Sequence, residues 1–168
     1  MKKIITLLIW SALSACNQVK EVPPLELVDP HYVDLSKGIL TSLCKGDIDK
    51  FIAPYTEHAI YRWNYGDSLV GRQAIIDYWK VRRTSVIDTI TFKNESWLAI
   101  RANNPPAHLK PGVYVLSWAD FKVTYTNGST IDMNIHTVFG FDSNDKVAIT
   151  IQYLDRSLIE NALKPSEK

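Results

Sequence analysis

From Ser85 to Asp155 the apolar residues recur at every second position, and turn residues rather than helix caps break the run. Five strands are predicted: 85–94, 97–102, 113–126, 129–141 and 147–155. Thr126-Asn127-Gly128-Ser129 is the sharpest local signal, because Asn-Gly at the centre accepts the positive φ values of a two-residue type I′ hairpin. Ser143-Asn144-Asp145 reads as a second turn, and 103–112, with Pro105, Pro106 and Pro111, as a loop. A chain committed to this many consecutive strands must build an antiparallel sheet and cover one face of it.

The cover comes from the first half. Val33, Leu35, Ile39, Leu40 and Leu43 form a helical stripe over 32–43, which Gly46 stops. Asp47 is a good N-cap for a short helix, Ile48 to Ala53, and Pro54 ends it. His58 to Trp63 reads as a strand and Asn64 to Asp67 as a turn. Gly71 precedes a helix of about a dozen residues with Ile75, Ile76, Trp79 and Val81 on or near its buried side, and 156–163 reads as a short closing helix. The fold class is α+β, with helices packed on one face of a bent sheet.

The N-terminus carries an address. Lys2 and Lys3 precede an apolar run, Ile4 to Trp10, and then Leu13-Ser14-Ala15-Cys16. The run is too short to span a bilayer. The four-residue signature resembles a bacterial lipobox, which implies cleavage before Cys16, acylation of its thiol and lasting anchorage through two or more chains. We therefore expect a signal peptide over 1–15, a proline-rich tether over 16–30, a domain over 31–163 and a tail over 164–168, held at a membrane of the bacterial cell envelope. Formal charge is +1 with no basic block, which argues against a nucleic-acid partner. Cys44, left alone once Cys16 is lipidated, reads as a small core hydrophobe.

Three segments carry a wider resemblance: Gly46 to Asp49 before Phe51 and Tyr55 to Tyr61; Gly71-Arg72-Gln73-Ala74-Ile75; and His136 to Val147, ending in Tyr153-Leu154-Asp155. In this order and spacing they resemble the nuclear transport factor 2-like superfamily and, within it, the SnoaL-like group. The resemblance implies a cone-shaped, strongly curved antiparallel sheet with helices on its concave side and a pocket in the cone. It also implies a homodimer, but no one chemistry, because the fold hosts isomerases, hydrolases, cyclases and binding proteins. Against the steroid isomerases of that superfamily, Trp63 stands where the carboxylate base would be and Thr137 where the protonated acid would be. Neither can do that work.

With a two-residue turn, Trp118 pairs with Thr137. One hairpin face then holds Trp118, Asp120, Lys122, Met133, Ile135 and Thr137, and the other holds Phe121, Val123, Tyr125, Asp132, Asn134 and His136. Neither is cleanly apolar, and a bulge would exchange the sets. Tyr61, Trp63, Trp79, Trp97, Trp118, Thr137 and Tyr153 are the candidate ligand-binding residues, suited to a small apolar or aromatic molecule. Asp120 and His136 are the candidates for acid–base catalysis, although this register puts them on opposite faces. Zinc-protease, paired-cysteine, phosphate-loop and nucleophile-elbow motifs are missing, and the four histidines lack metal-ligand spacing. We expect no metal or cofactor. Three functions stay open: a membrane-anchored binding domain, a cofactor-independent isomerase, cyclase or hydrolase, and a dimeric interaction module.

Overall fold

The structure is a computed structural model that describes residues 22–107 and 109–164. The expected signal peptide, Cys16 and residues 165–168 of the tail lie outside the described residues. The described residues form seven strands: β1 (Leu25–Leu27), β2 (Tyr55–Trp63), β3 (Ser68–Val70), β4 (Ile87–Ala102), β5 (Gly112–Tyr125), β6 (Thr130–Phe141) and β7 (Val147–Tyr153). The helices are α1 (His31–Lys45), α2 (Ile48–Ile52), α3 (Arg72–Val81) and α4 (Arg156–Ala162), and a π-helical turn, Arg82–Val86, extends α3.

The strands form one sheet in the order β1-β4-β5-β6-β7-β2-β3. The β2–β7 pairing is parallel and the others are antiparallel. Helices α1, α2 and α3 lie on its concave side, giving the curled α+β architecture expected. Gly46 ends α1 at φ 76°, donating to the carbonyls of Leu43 and Ser42, and the Asp47 side chain accepts the Lys50 N–H at 3.1 Å to start α2.

Two features depart from expectation in the first half. Part of the expected tether, Leu25–Leu27, is an edge strand on β4. The long β4 offers its free backbone edge, and three residues of passing chain satisfy it. Ser68–Val70 likewise pairs with β2. Strands this short carry no periodicity of their own.

The hairpin between β5 and β6 departs more consequentially. Thr124 pairs with Thr130 and Trp118 with His136, so the register is one residue away from that of a two-residue turn. The loop holds three residues, 126–128, closed by the Tyr125 N–H to Ser129 carbonyl bond (2.8 Å). Gly128 alone takes a positive φ, 87°. The Asn127 side chain explains the choice: its Oδ1 accepts the Ser129 N–H and its Nδ2 donates to the Ala162 carbonyl, both at 2.9 Å. One slipped residue moves half the side chains to the other face. The concave face now holds Ala119, Phe121, Val123, Tyr125, Met133 and Ile135, all buried. The mixed faces expected from sequence become one apolar and one exposed.

The core has two parts. One gathers α1, α2 and α3 around Phe51, Tyr55, Tyr61, Ile75, Trp79, Val115 and Phe139. The other lies under α4, where Leu158, Ile159 and Ala162 cover Ile90, Phe121, Val123, Tyr125, Met133 and Ile135.

Candidate binding site

A cavity of about 70 Å³ lies where the two parts of the core meet. Its wall takes Leu40, Leu43 and Cys44 from α1, Tyr78, Trp79 and Arg82 from α3 and the π-helical turn, and Trp63 from β2. The hairpin supplies Phe121, Val123, Tyr125, Met133 and Ile135, while Gln152, Leu154 and Ile159 close the side toward α4. Among the described residues, no carboxylate or imidazole lines it.

An aromatic cluster holds one side rigid. Ring centroids stand 5.1 Å apart for Trp63–Tyr78, 5.3 Å for Tyr78–Trp79, 5.1 Å for Tyr61–Trp63 and 5.8 Å for Tyr61–Trp79. Most of these contacts are tilted or edge-on, the arrangement in which ring quadrupoles attract. Tyr61 is buried behind Trp63 and Trp79 and supports them without reaching the cavity. Burial drives the phenols of Tyr78 and Tyr125 above their ordinary range, partly offset for both by the charge of Arg82. Burial also pushes the Cys44 thiol up to about 11, so it stays protonated and contributes packing rather than nucleophilicity.

Of the sequence candidates, Trp63 and Trp79 line the cavity. Thr137 is buried one step behind it, accepting from Gln152 Nε2 at 3.5 Å. Trp97 packs between the two parts of the core, with Lys37 Nζ 5.7 Å from its ring centroid. Trp118 and Tyr153 lie away from the cavity, on the convex face, 45% and 46% exposed. There they sandwich His136, with ring centroids 4.6 and 5.5 Å away. The Ser117 carbonyl lies 2.9 Å from His136 Nδ1, so that nitrogen carries the proton and donates.

Asp120 is also on the convex face. Its carboxylate accepts from Asn94 Nδ2 at 2.8 Å and from Asn134 Nδ2. Asn94 sits at φ 52°, where β4 holds an extra residue opposite β5, so Asp120 clamps a β-bulge. The slipped register does put Asp120 and His136 on one face, yet neither faces the cavity. Sequence reasoning missed Tyr78, Arg82 and Tyr125 in the wall. Tyr125 was hidden by the hairpin register, and Arg82 by the π-helical turn, which leaves no trace in hydrophobic periodicity.

A larger depression of about 920 Å³ lies elsewhere, where Tyr32, His58, Arg62, Arg101 and Asp145 meet. Its walls are mixed and charged, unlike the apolar enclosure of a small-molecule site. Among the described residues no group of three His, Cys, Asp or Glu could hold a metal, and no helix is long and apolar enough to cross a membrane.

No protein-family model and no curated protein sequence matches the chain. Solved structures do. An NTF2-like protein of unknown function from Burkholderia pseudomallei superposes with a TM-score of 0.63 at 11% identity, covering 80% of this chain and 98% of its own. A protein named a SnoaL-like polyketide cyclase, from Shewanella denitrificans, gives 0.60 at 16% identity, with coverage of 80% and 98%. An LEH-like epoxide hydrolase from M. tuberculosis gives 0.60 at 13% identity, with coverage of 79% and 88%. The likeness is one of fold: the domain has the nuclear transport factor 2-like fold shared by SnoaL-like proteins.

Proposed function

We propose that this chain is a lipid-anchored domain of the bacterial cell envelope that holds a small apolar or aromatic molecule in its concave cavity. The anchor rests on the basic and apolar leader ending in Leu13-Ser14-Ala15-Cys16. The binding role rests on one observation: the cavity is walled by indoles, phenols and aliphatic side chains, and the groups best suited to acid–base work, Asp120 and His136, lie on the opposite face of the sheet. Steroid-isomerase chemistry would need a base and an acid inside, and Trp63 and Thr137 stand where those groups would be.

A ligand that binds only the folded state raises the melting temperature by mass action. Toluene, p-cresol and indole are therefore expected to raise the midpoint and to quench Trp63 and Trp79 fluorescence, with Met133→Trp filling the cavity and abolishing both effects. A panel of ring-sized compounds that leaves the midpoint unchanged would overturn the binding role. Metabolic labelling with a fatty acid tests the anchor: wild type takes up label and Cys16→Ser does not.

A second reading, self-association into a homodimer, draws on a separate observation. Leu98, Trp118 and Tyr153 are exposed along one convex face, which Leu25 and Leu27 extend at the β1 edge.

A further inference from the structure

Among the described residues, Arg82 is the one charged side chain in the cavity wall. Its guanidinium carbon stands 5.5 Å from the Tyr78 ring centroid. Tyr78 and Tyr125 line the same cavity as Arg82, close enough for its charge to lower both phenols against the larger effect of burial. Tyr125 is 2% exposed. None of the three side chains has a hydrogen-bond or ion-pair partner among the described residues. The arrangement is local to Arg82: the next residue, Arg83, spends its guanidinium on the carbonyls of Leu43, Cys44 and Ile87 at 3.0–3.1 Å. Asp67, whose charge reaches Tyr78, is paired with Arg156. Arg82 opens the π-helical turn, a geometry that recurs at functional sites because it redirects side chains out of the helical repeat.

A guanidinium and two phenols that no protein acceptor engages, among the described residues, are free to donate to an anion. A carboxylate offers the planar, bidentate acceptor a guanidinium matches best, and charge-assisted bonds there are worth more than neutral ones. The rest of the wall is apolar, and the cavity has room for roughly five water positions. Building on the binding role above, we infer that the occupant is a small apolar carboxylic acid, its ring or short chain among Trp63, Trp79, Phe121 and Ile135 and its carboxylate on Arg82, Tyr78 and Tyr125.

Benzoate, benzamide and toluene share a ring and differ at the head. Titrated into the full folded domain and followed by melting and tryptophan fluorescence, benzoate is expected to bind at least about tenfold tighter than benzamide, the scale of one charge-assisted hydrogen bond. Added salt should weaken benzoate alone. Arg82→Gln should erase the preference, and Tyr125→Phe should reduce it; circular dichroism shows that each variant is folded. Equal affinity for benzoate and benzamide, or a preference that survives Arg82→Gln, overturns the carboxylate assignment while the cavity keeps its role. Failure of all three compounds overturns both.

Discussion

Gly128 decides which side chains reach the cavity. At φ 87° it closes a three-residue loop, and alanine there would carry left-handed strain of about 1–2 kcal/mol. Gly128→Ala is expected to lower stability by that amount in denaturant unfolding; an unchanged midpoint would show that the loop takes another form. Gly140 is constrained differently. A Cβ there would stand 2.6 Å from Ile149 Cγ2 and 2.8 Å from Tyr114 Cε1. Tyr114 has little freedom to retreat, since its hydroxyl donates to the Lys110 carbonyl at 2.6 Å. Gly140→Ala should cost about 1–3 kcal/mol, the usual range for overpacking. The same residues mark what could be read in advance. Asn127-Gly128 announces a turn in sequence, but its length depends on the bond from Asn127 to Ala162, more than thirty residues away in the chain. Because side chains alternate with a period of two, that one undecided residue exchanged Thr137 for His136 opposite Trp118.

At the scale of elements, the long and capped pieces were legible and the short or distorted ones were not. The stop of α1 at Gly46 and the cap at Asp47 appear as read, and Ile39, Leu40 and Leu43 of its stripe are buried, whereas Leu35 faces out and Ser36 is buried instead. The bulge at Asn94 divides what is one continuous strand, β4, and it was read as a gap between two. Helix α4 was anticipated, but its importance was not: it lays Leu158 and Ile159 over the core beside the cavity. Asp155 caps it, accepting from the Ser157 hydroxyl at 2.6 Å and the Ser157 N–H at 2.9 Å. Those bonds, the hydroxyl's first, hold the Asp155 carboxyl below its ordinary value of 3.8. A folded-state value lower than the unfolded one means that the cap stabilises α4 above about pH 4 and is lost as pH falls through the folded value. The Ser157 amide shift should therefore titrate with a midpoint below 3.8, and Asp155→Asn should abolish that titration. A midpoint at or above that value would remove the cap's role. Ligand held in the cavity should exchange faster below the midpoint, as α4 loosens.

For the whole molecule, the two faces of the sheet divide the work. The concave face is filled or covered, while the convex face shows an unusual run of apolar side chains. Leu98, Leu116 and Val138 stand in register across β4, β5 and β6, and Trp118, His136 and Tyr153 form the next row. Leu27, 77% exposed, and Val70, 69% exposed, extend the face at the two edge strands. Contiguous apolar surface of this kind marks a contact. A second copy suits it because a two-fold axis sets the same rows against each other. A net charge near zero, +1 for the whole sequence and −1 without the two lysines of the expected leader, provides no long-range repulsion between copies. The stacked trio around His136 would then sit at the centre of the contact, where buried aromatic anchors carry most of the binding energy. Light scattering of the domain is expected to give twice the chain mass at micromolar concentration. Trp118→Glu with Leu98→Glu should return it to one chain mass without changing the response to benzoate, because neither residue touches the cavity. A wild-type domain with the mass of one chain at every concentration would assign that face to a different partner, and His136 would need another reason for its place between two exposed rings.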